Sequence, residues 1–263
     1  MLREFNAVNF TIFDIPGYFF FTGVGLVVAV STFIVFVSNK KYPLQVNMRI
    51  LMVSILFLIV FARVFGGLSG IYRNVGMGEK INWDKIKNTG IVFYGGLLGF
   101  LISYKICIRR TKQDEHIMDL LAVIIPLFHA IARVGCFVGG CCFGKESSSN
   151  IAIMYRTKVL DQINISQRIP IQLIEAAFNV CLFVYLFKLF LMEEWKEKKI
   201  LRKYLLLYSV GRFVIEFFRG DIVRGMVCGI SFGQMCSILI WLYLLITVKH
   251  RRKNKKMKEG LVI

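Results

Sequence analysis

Charge, proline and paired cysteines are all scarce in this sequence. Of its 263 residues only 19% are charged and only 4 are proline. The charges gather between long apolar runs, which excludes a disordered chain and a nucleic-acid-binding domain despite a formal net charge of +18. The 7 cysteines include no Cys-X-X-Cys pair and no cysteine–histidine spacing typical of zinc, so a disulfide scaffold and a zinc finger both lack support. The amino terminus has neither a compact basic region nor a small-residue cleavage site, so its first apolar run is expected to stay as a permanent helix. What is plentiful is apolar bulk. Hydrophobic residues make up 56% of the chain, 24 of them Phe, and the mean hydropathy is +0.62. Such a composition belongs in a bilayer.

A helix needs about 20 apolar residues to cross about 30 Å of hydrocarbon. The sequence offers seven such runs, near residues 18–37, 46–68, 90–108, 117–138, 171–192, 203–218 and 229–248. The expected fold is therefore an all-α integral membrane protein of about seven transmembrane helices. The sixth run is interrupted by Arg212, Glu216 and Arg219 and scores weakly on hydropathy alone. No internal repeat appears, so residues 1–248 read as one multi-span domain and 249–263 as a basic cytoplasmic tail. Positive charge is disfavoured on the translocated side. An N-terminus outside leaves nineteen Lys and Arg on inner segments against ten on outer ones, so the N-terminus is expected outside and the C-terminus in the cytoplasm.

Five ionisable residues remain within the runs, away from their inner ends: Arg63, Arg133, Arg212, Glu216 and Arg219. Each costs about 2.5–3.5 kcal/mol on an insertion scale, so each needs a reason to be there. Lys188 and Asp119 lie near inner ends, where they can snorkel or sit among headgroups. With the orientation above, all five fall in the outer halves of their helices, together with Tyr18, Tyr94, Gln172 and Glu175. Arg212, Glu216 and Arg219 share one helical face at i, i+4 and i+7, where the glutamate can pair with one or both arginines. The expected result is a polar pocket open to the outer leaflet, with an excess of about three positive charges over the single glutamate of this set. Arginine suits a phosphate ester there because its planar fork binds two oxygens and stays charged.

Two glycine-rich stretches lie at the same depth. Arg133 begins a segment running through Gly135, Cys136, Gly139, Gly140, Cys141 and Cys142 to Gly144, a helix exit where backbone can approach a ligand. Tyr94, Gly95, Gly96 and Gly99 open the third helix, where small residues serve helix packing equally well. Cys136, Cys141 and Cys142 admit three readings: buried small hydrophobes, an extracytoplasmic disulfide, or a thiol site such as an acyl carrier or a metal ligand set. His129, one turn before Arg133, reads as a hydrogen-bonded packing residue. With no fourth ligand apparent, no metal and no cofactor is assigned.

Taken together, Tyr94-Gly95-Gly96-Leu97, Ala132-Arg133-Val134-Gly135-Cys136-Phe137 through Gly144, Pro170-Ile171-Gln172-Leu173-Ile174-Glu175-Ala176 and Gly211-Arg212 through Glu216, Arg219, Gly220 and Asp221 resemble the bacterial prolipoprotein diacylglyceryl transferases. Arg63 and its neighbours resemble that family's arginine segment on the second helix, and Tyr18 with Gly25 its first-helix tyrosine and glycine. The resemblance implies an enzyme that moves the diacylglyceryl group of phosphatidylglycerol to the lipobox cysteine of a prolipoprotein, forming a thioether and releasing glycerol phosphate. It implies a multi-pass bacterial cytoplasmic-membrane protein whose active site faces the outer leaflet and which binds no nucleic acid. Arg133, Arg212, Tyr94 and Glu216 take the catalytic roles in this reading. Arg63, Arg219, Tyr18, Gly95, Gly96, Gly135, Cys136, Gly144, Gln172 and Glu175 line the substrate site. This chain departs from the better-known members in having Tyr94 for histidine, Cys136 for asparagine and Cys141 for glutamate. A phenol is a poor base at neutral pH, so Tyr94 is expected to hydrogen-bond the lipid, and the base stays unassigned. Rival readings are the same scaffold with another donor or acceptor, a non-enzymatic anion or lipid binder, and a thiol-redox protein built on the three cysteines.

Overall fold

In the computed structural model, residues 4–8, 10–81, 83, 86, 89–159, 162–192, 200–220 and 226–259 are described. Asp221, the last residue of the sixth-run motif, lies outside them. The chain is mostly helical. Among the described residues the helices with defined bounds are α1 (Gly17–Asn39), α2 (Leu44–Gly76), α3 (Phe93–Arg110), α4 (Ile117–Val138), α5 (Ile171–Leu191), α6 (Ile200–Glu216) and α7 (Phe232–Glu259). Five of them, α1, α2, α4, α5 and the Phe232–His250 part of α7, are long and apolar enough to cross a membrane. α3 carries Lys105, Arg109 and Arg110, and α6 is only 17 residues long, so neither meets that standard by itself.

The bundle is built around α4, which packs on α1 on one side and on α5 and α6 on the other. Burial follows position. Ile117, Leu120, Leu121, Ala122 and Val123 of α4 are nearly inaccessible, whereas Val27, Leu56, Val60, Val184, Leu245 and Ile246 on the outer helices are more than half exposed. Apolar side chains turned outward on several helices make a surface that water does not stabilise and hydrocarbon does. α2 and α3 form a second close pair. A Cβ on Gly95 or Gly99 would strike the Phe61 or Phe57 carbonyl of α2, so glycine is what lets the two backbones approach.

The expectation of an all-helical chain omitted the strands. At one end of the bundle a three-stranded sheet forms from β1 (Glu4–Asn6), β4 (Ile153–Val159) and β5 (Gln162–Arg168), with β1 parallel to β4 and β4 antiparallel to β5. The β4–β5 hairpin occupies the long fourth loop, and Tyr155 of β4 joins Ala7, Phe137, Val138 and Phe143 in a small separate core. Two short hairpins, β2 (Thr11–Ile12) with β3 (Ile15–Pro16) and β6 (Met226–Val227) with β7 (Ile230–Ser231), lead into α1 and α7. Both turn through two residues of positive φ, Phe13–Asp14 and Cys228–Gly229, the geometry that matches strand twist.

Asp119 corrects the headgroup reading. It is 2% exposed, and its Oδ1 accepts the Leu201 N–H at 2.9 Å, meeting one of the unsatisfied donors at the start of α6. At the other end of the chain α7 continues as helix to Glu259, so the basic stretch begins in helical form.

Candidate active site

The helix ends nearest the sheet carry a cluster of buried charges. Arg133 is in the last turns of α4, Glu175 is one turn into α5, and Arg212 and Glu216 close α6. All four are at most 6% exposed. Glu175 is the hub. Its Oε1 lies 3.0 Å from Arg133 Nη2, and its Oε2 accepts from Arg212 Nη1 at 3.3 Å. Arg212 Nη2 is in turn 2.5 Å from Glu216 Oε2, the i,i+4 partner expected from the sequence. The start of α7 closes this side, since a Cβ on Gly233 would meet the Glu216 carboxylate at about 3 Å.

His129 completes the set. Its Nε2 accepts from Arg133 Nε at 3.1 Å, and a guanidinium can only donate, so Nε2 carries no proton. Its ring lies flat on Phe93 with centroids 3.8 Å apart, and its Nδ1 has no hydrogen-bond partner among the described residues. Arg133 Nη1 also reaches Cys136 Sγ at 3.9 Å. Each arginine has five N–H donors, more than these contacts use. Glu175 Oε1 and Glu216 Oε2 face guanidinium groups without an aligned hydrogen bond. The cluster is thus paired in charge while keeping donors available to a further anion.

Counting Glu175 changes the charge balance. Arg219 is 7% exposed and follows α6, where its backbone bridges to Gly144. Its charge reaches Glu175, Arg133 and Arg212. Arg63 is exposed and donates to the Thr89 carbonyl at 2.8 Å, outside the cluster. Among the described residues the imbalance is smaller than the four arginines against one glutamate expected from the sequence, because Glu175 joins Glu216 in pairing with Arg133 and Arg212.

Other expected site residues lie around this cluster, on the α2–α3 side or at the exit of α4, and Tyr94 packs on Tyr208, which in turn packs against His129. Tyr94 is buried on α3, with its hydroxyl 2.7 Å from Ser237 Oγ. Ser237 donates its own proton to the Gly233 carbonyl at 3.0 Å, so Tyr94 is the donor of the pair and its proton is already engaged. Gly95 and Gly96 face α2, where the missing Cβ lets the two helices pack closely. Gly135 gives room to the Tyr18–Phe21 turn of α1, and Gly144 to the Ile169 carbonyl. Tyr18 borders a cleft of about 420 Å3 shared with Phe10, Pro16, Gly139 and Cys141. Gln172, buried on α5, donates to the Cys141 carbonyl at 2.8 Å. The structure therefore divides the expected residues among an arginine–glutamate cluster, the exit of α4 and the α2–α3 side of the bundle. His129 was not among them, although its place four residues before Arg133 on one helix face was the available signal.

The Cys136, Cys141 and Cys142 sulfurs all lie within 4.8 Å of one another. Hydrogen bonding to Cys136 and Cys142, with burial, pushes the Cys141 thiol well above its ordinary range.

A mostly helical bundle with apolar outer faces and arginines buried at one end defines a membrane protein with a polar site inside its helices. The particular family follows from comparison. A family model described as prolipoprotein diacylglyceryl transferase matches residues 6–249, and the chain belongs to that family. It is 29% identical over 240 residues to phosphatidylglycerol–prolipoprotein diacylglyceryl transferase 2 of Clostridium perfringens, covering 86% of this chain and 87% of that one. It is 32% identical over 151 residues to the Clostridium tetani enzyme with the same name apart from the numeral, covering 57% and 59%. It is 32% identical over 181 residues to one from Streptococcus pyogenes, covering 65% and 66%.

Proposed function

We propose that this chain transfers the diacylglyceryl group of phosphatidylglycerol to the lipobox cysteine of a prolipoprotein, forming a thioether and releasing glycerol phosphate. It works in a bacterial cytoplasmic membrane that it crosses seven times, with N-terminus outside and C-terminus inside. The observation that carries the chemistry is the pair Arg133 and Arg212, brought from α4 and α6 onto one shared carboxylate, Glu175.

Arg133 and Arg212 hold the headgroup phosphate through the N–H donors that the cluster leaves available. As the acceptor sulfur forms a C–S bond to the glyceryl carbon, the C–O bond to phosphate breaks and glycerol phosphate leaves with the bonding electrons. Charge grows on the phosphate during that step, and preorganised cations in a water-poor site stabilise it. Glu175 and Glu216 aim the guanidinium groups, and His129 holds the Arg133 Nε. The guanidinium groups beside the acceptor thiol favour it as thiolate. α3 and α6 are the remaining two spans. An outside N-terminus puts the cluster end of the bundle in the outer leaflet, where a secreted precursor's cysteine arrives.

The test is incubation of the purified chain with phosphatidylglycerol vesicles and a lipobox peptide, followed by mass spectrometry. A diacylglyceryl adduct on the cysteine, with free glycerol phosphate in equal amount, is the expected result. Folded protein that yields neither product across several headgroups contradicts it.

A further inference from the structure

The exit of α4 holds more chemistry than phosphate binding requires. Within seven residues, Cys136, Cys141 and Cys142 bring three sulfurs within 4.8 Å of one another. None of the three is in a disulfide. Their backbone is fixed from several directions. The Cys141 N–H donates to the Cys136 carbonyl at 3.1 Å, Gln172 of α5 donates to the Cys141 carbonyl at 2.8 Å, and Thr157 of β4 donates to the Gly140 carbonyl at 2.6 Å. Tyr155 of β4 donates to the Phe137 carbonyl. Gly140 and Cys142 both have positive φ, at 74° and 58°, which folds the chain back so that Cys142 faces Cys136.

Three sulfurs in one place are one too many for a disulfide, which consumes two and leaves the third without a bonding partner. A soft cation engages all three. Thiolates about 2.3 Å from a zinc ion are separated from one another by about 4 Å, a spacing this cluster reaches with small side-chain movement. Arg133 Nη1, 3.9 Å from Cys136 Sγ, offsets the negative charge of a three-thiolate complex. Cys141 also lines the open cleft of about 420 Å3 beside Tyr18 and Gly139.

We propose that Cys136, Cys141 and Cys142 form a three-thiolate binding site for a soft d10 cation of the zinc or copper(I) kind. Binding of a divalent ion releases the three thiol protons to solvent and forms three metal–sulfur bonds, with no change of oxidation state. The site stands on its own geometry, whether or not the chain is a transferase. It ties the exit of α4 to itself, one turn from the arginine that faces Glu175.

The test is titration of the full chain, reduced by a phosphine and held in lipid nanodiscs, with Cd2+ alone. Thiolate-to-cadmium charge transfer in the ultraviolet is the readout. The expected result is one tightly held ion per chain with proton release, lost in Cys141→Ser/Cys142→Ser and again in Cys136→Ser, and kept in Cys107→Ser/Cys181→Ser/Cys228→Ser. The three variants bear on different elements, so a general folding defect does not mimic this pattern. Reduced wild-type chain without a stoichiometric signal, or a signal that survives in Cys141→Ser/Cys142→Ser, overturns the proposal.

Discussion

The α2–α3 seam and the α4–α5–α6 cluster are both buried, and both begin from sequence stretches suited to a phosphate. They do opposite things. In the seam, Gly95 and Gly99 let α3 pack directly on the Phe61 and Phe57 backbone of α2. In the cluster, Arg133 and Arg212 meet through Glu175 and still keep donors. A small residue at a helix surface is spent on proximity, while a buried charge keeps a residual field that another charge can use.

Removing the field is expected to have the largest effect. Arg133→Ala or Arg212→Ala should lower transfer by at least about 10²–10³-fold, the scale for losing one preorganised donor at a developing anion. Glu175 keeps one arginine in either variant, so the chain should still insert, which detergent extraction and size-exclusion chromatography check. The seam should fail differently. Gly99→Val forces side-chain bulk against the Phe57 carbonyl and should cost about 1–3 kcal/mol of stability by overpacking. Its signature is lower melting temperature and folded yield, with transfer per folded molecule little changed.

His129 sharpens the contrast from inside the cluster. His129→Leu removes the acceptor for Arg133 Nε and should reduce kcat by about tenfold, the worth of a hydrogen bond to a charged group. His129→Gln, whose carbonyl can accept the same proton, should recover part of it. Asp119→Ala removes the α6 cap far from the cluster and should cost about 1 kcal/mol in thermal unfolding, leaving kcat unchanged. Tyr94→Phe is the smallest. With its proton given to Ser237, the tyrosine should cost at most about 1 kcal/mol of stability and less than about threefold in transfer.

Much of the bundle was legible because apolar runs and interruptions are local properties. The one-face spacing of Arg212 and Glu216 gave their ion pair directly. Pairing between helices was not legible, since periodicity says which face a residue occupies and not which helix meets that face. That is why Glu175 read as one more polar residue near a helix start and not as the hub, and why Arg63, alike in sequence to Arg133, lies exposed against Thr89. The β4–β5 hairpin was hidden for a related reason: its pairing partner β1 begins the chain, about 150 residues away. The three cysteines were visible as a group, but their convergence depends on the reversal at Gly140 and Cys142 and on contacts from α5 and β4.

The most direct test of the central claim compares Arg212→Ala with Gly99→Ala in one assay. Both are reconstituted in phosphatidylglycerol-containing nanodiscs, quantified as folded protein, and followed by mass spectrometry for the diacylglyceryl adduct on a lipobox peptide. The account predicts that adduct formation per folded molecule collapses in Arg212→Ala and stays near wild type in Gly99→Ala. Equal rates for the two variants would show that the arginine cluster only holds helices together, and would contradict it.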